Sequence, residues 1–212
     1  MDWVLSIAFL SLLISILTLI YGIICSKYFS TELKYLLLLI FISVVSDVIS
    51  YFFSVNRLNN SLVVNLYSII EVLLYLKIYS VNFKSGKFKI FPIVVLFVLS
   101  TIIGVELFKG QLIALPSVAL MINSSISIML LSILWFYRIF KNSEFSNLLK
   151  EPFFWINSSS LVYFSSSFFI FLFSNYLSSI NAVSLWVLHN TLHIIYFVII
   201  IIGFWKQRLH QK

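Results

Sequence analysis

Cysteine, proline, glycine and charge are all scarce in this chain. With one cysteine, Cys25, among 212 residues, no intramolecular disulfide can form and no cysteine-based metal motif exists. Three prolines and five glycines leave no flexible linker and no stretch that reads as a separate soluble domain. Only 10% of the residues are charged while 61% are hydrophobic, too little polar surface to cover a water-soluble fold. No Gly-x-Ser-x-Gly elbow or phosphate-binding loop is present, which removes two common catalytic signatures. No internal repeat is visible and the apolar runs lack mid-segment Gly or Pro breaks, both against an inverted-repeat transporter. The last run has no lysine before Lys206, so it offers no retinal Schiff base.

What the chain has is apolar length. Mean hydropathy is +1.08, and seven stretches reach the roughly 20 residues that cross a bilayer. They run Trp3–Cys25, Lys34–Phe53, Ser61–Ser80, Ile90–Phe108, Leu112–Tyr137, Phe153–Phe173 and Ala182–Trp205. The N-terminus, Met1-Asp2-Trp3, lacks a basic leader region, so the first run is expected to stay as a helix. The expected fold is all-α: one seven-helix transmembrane bundle over residues 1–212.

The net charge of +7 sits in short loops between the apolar runs. That is the pattern of topology signals and anionic headgroups, not of nucleic-acid binding. One set of helix ends carries Lys27, Lys34, Lys77, Lys84, Lys87, Lys89, Arg138, Lys141, Lys150, Lys206, Arg208 and Lys212; the other carries only Arg57 and Lys109. Twelve against two predicts the N-terminus outside and the C-terminus cytoplasmic. The lipid bilayer is the one partner this pattern requires.

Ionisable residues inside apolar runs are costly, and they mark function or a buried network. His189 and His193 lie four apart in the seventh run and share a helix face. Asp47 in the second run and Glu71 in the third fall at similar depth. The sequence predicts that these four share a cavity, with Ser43, Tyr67, Tyr163 and Asn190 around it. Tyr67, Glu71 and Tyr75 are spaced by four, so either phenol can reach the carboxyl. Ser11, Ser15, Thr18 and Gly22 form a small-residue stripe suited to helix packing, and Asn123, Ser124, Ser125 and Ser127 read as interhelical glue.

Several chemistries fit the four ionisable residues. Carboxylates and imidazoles can pair as a structural network. His189, His193 and Asp47 can hold a zinc ion, with Glu71 as base for a bound water. The same groups can bind a lipid, a small molecule or a proton and signal to a cytoplasmic partner, or serve a transporter or proton relay.

The order of parts resembles the seven-helix intramembrane hydrolases that include alkaline ceramidases and adiponectin-type receptors. That resemblance rests on Ser43 near the end of helix two and His189-x-x-x-His193 in helix seven. It implies a zinc-dependent lipid hydrolase in which Ser43 and Glu71 serve catalysis. Asp47 stands where that group carries a histidine, and Glu71 lies deeper than its aspartate. The wording Asn65-Leu-Tyr67-Ser-Ile-Ile-Glu71, Phe154-Trp155-Ile-Asn157-Ser158, Leu161-Val-Tyr163-Phe164 and His189-Asn190 is similar to small seven-helix membrane proteins of Bacteroidota. That likeness implies a bacterial inner membrane and no particular activity.

Overall fold

The computed structural model describes the backbone of residues 2–83, 90–142 and 147–210, and the side chains of 6–83, 90–141, 147–173 and 183–210. Lys84, Lys87, Lys89 and Lys212 lie outside the described residues. The helices are α1 (Asp2–Cys25), α2 (Thr31–Val55), α3 (Ser61–Asn82), α4 (Ile90–Phe108), the short α5 (Gln111–Ala114), α6 (Val118–Asn142) and α7 (Pro152–His210). All the described regular structure is helical, and seven spans are long and apolar enough to cross a membrane.

The distribution of side chains decides the setting. Outward faces carry large apolar groups such as Phe97 and Phe108, 71% and 94% exposed, while Ser15, Thr18, Asn65, Ser132 and Asn157 are buried. Water would not tolerate so much exposed hydrocarbon, whereas lipid requires it. The chain is an integral membrane protein.

Two compact units are present, residues 1–30 with 128–212 and residues 31–127, and the division falls within α6. In the first, α1 packs against α7. Its contact stripe is the expected one, with Ser11, Ser15, Thr18, Gly22 and Cys25 all buried. Ser15 and Thr18 turn their hydroxyls back onto Leu12 O and Ile14 O, each at 2.8 Å. Neither of these two donors is therefore stranded in the apolar interface. Past α1, Phe29 packs at a tilt against Phe204 at 4.6 Å between centroids, and Gln207 donates to Tyr28 O at 3.0 Å.

The helical backbone of α7 doubles back on itself. Its spans Pro152–Phe173 and Val183–His210 meet where Tyr163 Oη lies 3.4 Å from His189 Nε2. A straight helix would put residues 26 apart about 39 Å from one another. The approach is close because Gly203 has no side chain: a Cβ there would sit 2.8 Å from Ile156 Cγ1 and 3.2 Å from Pro152 O. Pro152 occupies the first helical position, where its missing N–H costs nothing. The second half of α6 joins this unit through Asn157 Nδ2, which donates to Ser132 O at 3.2 Å, and through Trp135 against Phe153 at 5.3 Å.

In the second unit α2 packs on α3. The buried face of α2, Leu33, Leu36, Ile40, Ser43 and Val44, has helical spacing and leads on to Asp47. Arg57 adopts a left-handed φ of 56° after α2. Leu58 N–H returns to Phe53 O at 2.8 Å and Arg57 N–H to Ser54 O at 3.1 Å, a Schellman closure of the helix end.

The fifth expected helix, Leu112–Tyr137, is corrected. Helix α5 stops at Ala114 and α6 starts at Val118, with Leu115 extended at φ −136° and ψ 148°. Pro116 forces this, because proline disfavours helical geometry in the preceding residue. Asn65 of α3 then takes up the freed groups. Its Nδ2 donates to Leu112 O at 2.7 Å and Leu115 O at 2.9 Å, and its Oδ1 accepts Ser117 N–H at 2.7 Å. Ser117 Oγ caps α6 through Leu120 N–H at 3.3 Å and donates to Glu106 Oε1 at 2.8 Å.

Basic residues segregate within each unit. In the second, Lys77 lies over the Tyr35 ring at 5.7 Å, which brings the Lys34 and Lys77 ends together. In the first, the contacts of Tyr28 with Gln207 and of Gly203 with Pro152 gather the Lys27, Lys150 and Lys206 ends.

Candidate functional site

The ionisable residues expected at one depth divide two and two between the units. Asp47 and Glu71 belong to the second; His189 and His193 belong to the first.

The acidic centre is built on α3. Tyr67 and Glu71 stand one turn apart, and Tyr67 Oη donates to Glu71 Oε1 at 3.0 Å. The other carboxyl oxygen, Oε2, accepts a hydrogen bond from Ser124 Oγ of α6. Glu71 is thus buried with both oxygens engaged by hydroxyl donors, the arrangement a carboxyl inside a bilayer needs. Asp47, half-buried on α2, lies within electrostatic reach of Glu71. Ser43 is buried one turn before it. Of the two phenols flanking Glu71, Tyr67 makes the bond, while the buried Tyr75 stacks along α3 on Tyr79 at 6.3 Å. Close by in sequence, Asn123 Nδ2 is buried with no partner.

The histidine centre is built on the two spans of α7 and on α1. Ser11 Oγ lies 2.8 Å from His193 Nδ1, so the small-residue stripe of α1 also supplies a polar contact. His189 Nε2 faces Tyr163 Oη at 3.4 Å, a long hydrogen bond. Aromatic rings wall the pair. Phe171 and Tyr163 lie 5.6 Å and 5.7 Å from the His189 ring, Phe197 meets His193 edge-on at 4.6 Å, and Tyr163 stacks on Tyr196 at 4.9 Å. The two imidazole centroids are 6.5 Å apart. Asn190 turns away and donates to Trp186 O of its own helix at 2.9 Å.

Two polar atoms of this centre are buried without a partner, His189 Nδ1 and Ser167 Oγ. Tyr163, Ser167 and Phe171 follow one another at one-turn spacing. Because the first and third both contact the His189 ring, Ser167 lies on the face turned to it.

Within neither unit do three His, Cys, Asp or Glu side chains gather as a metal-binding set among the described residues. His193 Nδ1 is already engaged by Ser11. No step through zinc follows from this arrangement.

Sequence reasoning named Tyr67, Glu71, Asp47, Tyr163, His189 and His193 and passed over three contributors. Ser124 belongs to the group Asn123, Ser124, Ser125 and Ser127 expected to act as interhelical glue, Ser11 belongs to a stripe expected to pack helices, and Ser167 is one of several serines in the sixth run. In each case the signal was a small polar residue inside an apolar run; only the packing says which one faces the centre. Comparison with protein-family models, with curated proteins and with solved structures finds no match to this chain.

Proposed function

We propose that this membrane protein binds a small ligand at the histidine centre and acts as a sensor. The observation that carries the reading is the unspent hydrogen-bonding capacity of His189 Nδ1, buried and unpartnered inside a span. A purely structural network in lipid satisfies its polar atoms, since an unpaired one costs several kcal/mol. An imidazole nitrogen left open beside Ser167, between the rings of Tyr163 and Phe171, suits a mostly apolar molecule with one hydrogen-bonding group. Neither centre by itself offers zinc the three protein ligands that a hydrolytic site needs.

The acidic centre supports a second reading, proton binding. Asp47 and Glu71 are two carboxyls of one unit inside apolar spans, where a bare carboxylate is costly and a bound proton or cation offsets it. In either case the basic ends face the cytoplasm of a bacterial inner membrane. The helix shift produced by binding passes there to a partner protein, since the described chain is taken up by membrane spans.

Organic extraction of the purified protein, followed by mass spectrometry, tests the reading beside a His189→Leu variant. The wild type should release a stoichiometric small molecule that the variant lacks. If wild-type protein releases only bulk lipid, and His189→Leu is simply more stable, the open nitrogen is an unfilled defect and the reading fails.

A further inference from the structure

At the basic end of the first unit lies an open, shallow pocket of about 350 Å³, lined by Lys150, Lys206, Leu209 and His210. We propose that this pocket binds a phosphate group, the shared chemistry of an anionic lipid headgroup and a free phosphate ion. The inference is independent of the histidine centre.

Three features of the backbone build the pocket. Lys150 ends a single 3-10 turn, Leu148–Lys150, just ahead of Pro152. Trp155 pins that turn by donating its indole N–H to Leu149 O at 3.0 Å. Lys206 and His210 stand one turn apart at the end of α7 and therefore share a face. The close approach of Gly203 to Pro152 O and Ile156 brings that face beside the turn. Cations from two segments far apart in sequence thus converge on one concave space.

Charge and depth point to the ligand. Among the described residues none of the three basic side chains makes an ion pair; the Lys206 ammonium rests over the Trp205 ring at 5.2 Å. The pocket lies where one span starts at Pro152 and another ends at His210. Trp155 and Trp205 flank it, and tryptophan favours the membrane–water interface. Basic pockets between helices at that level recognise phosphorylated headgroups. Leu209, 49% exposed, supplies an apolar wall beside the cations, which suits a glycerophosphate more than a bare ion. Such a pocket is large enough for a phosphate with its glycerol.

The test uses the full chain in dodecylmaltoside and reads its melting temperature. Three probes are added separately: dioctanoyl phosphatidylglycerol, dioctanoyl phosphatidylcholine and inorganic phosphate. A Lys150→Gln/Lys206→Gln double variant is run in parallel. Each lysine at an anionic contact is worth about fivefold in affinity, so the double variant should bind some 20- to 30-fold more weakly. It should nearly keep the unliganded melting temperature, because Lys150 is exposed and the one ring contact of Lys206 is with its chain neighbour Trp205. Stabilisation by phosphatidylglycerol alone assigns a lipid headgroup, and stabilisation by inorganic phosphate as well assigns a general phosphate site. Either result supports the proposal if the double variant loses it. No response to either anion, an equal response to phosphatidylcholine, or an unchanged response in the double variant overturns it.

Discussion

Asn65 offers the sharpest test of how this protein holds its helices. It is fully buried and makes three hydrogen bonds of 2.7 to 2.9 Å to backbone groups around Pro116. Asn65→Ala removes all three at once. Side-chain hydrogen bonds within membrane proteins average about 0.6 kcal/mol and reach about 1.7, which gives roughly 2–5 kcal/mol for the set. Asn65→Asp is the discriminating partner. It keeps the acceptor for Ser117 N–H but turns a carboxylate oxygen onto the carbonyls of Leu112 and Leu115, so it should cost more than alanine despite its similar shape. Unfolding in mixed dodecyl sulfate and maltoside micelles measures both. Far-ultraviolet circular dichroism is the required probe, because all five tryptophans lie in the other unit. An alanine variant within about 0.5 kcal/mol of wild type, or an aspartate variant more stable than alanine, would refute the assignment of Asn65 as the clamp.

Three further substitutions probe backbone geometry. Gly203→Ala should destabilise by about 1–3 kcal/mol through overpacking on Ile156 and Pro152. Gly104→Ala, which meets nothing within 4 Å, should be neutral or mildly stabilising. Tryptophan fluorescence during micelle unfolding reports the first, dichroism the second, and equal effects would remove the close-approach argument. Arg57→Gly relieves a left-handed residue and should gain about 0.5–1 kcal/mol by dichroism. A loss there would mean that the arginine side chain makes an interaction outweighing its strain.

The helices were legible because crossing a bilayer demands length and apolarity, and both are written along the chain. Pro116 also announced its break, yet Leu112 to Leu115 are apolar enough to read as a helix continuing through it. Asn65, whose partners stand about 50 residues away, could not be matched to that break from sequence. The same divide runs through both polar centres. Tyr67 and Glu71 are one turn apart, so helical periodicity alone pairs them. Ser124 reaches Glu71 across 53 positions and Ser11 reaches His193 across 182. Neither helix carries a mark that singles out its serine, because only the rotation of one helix against another selects it. Similar depth along their runs put Asp47 and Glu71 level with the histidines, but depth is one coordinate. Which unit each residue belongs to depends on contacts that depth does not encode.

The pairing of α1 with α7 sets the order in which the protein can be assembled. Synthesis at roughly 5–20 residues per second separates Ser11 from His193 by about 10–40 s. For that interval the first helix waits in the bilayer with Ser11, Ser15, Thr18 and Gly22 turned towards lipid or a membrane chaperone. The acidic centre, complete by Ser124, can form while the ribosome is still at work. The histidine centre is therefore completed later than the acidic one, and a chain cut short before residue 193 leaves Ser11 of the α1 stripe without its imidazole partner. That stripe is the feature by which a quality-control protease could recognise an unfinished copy.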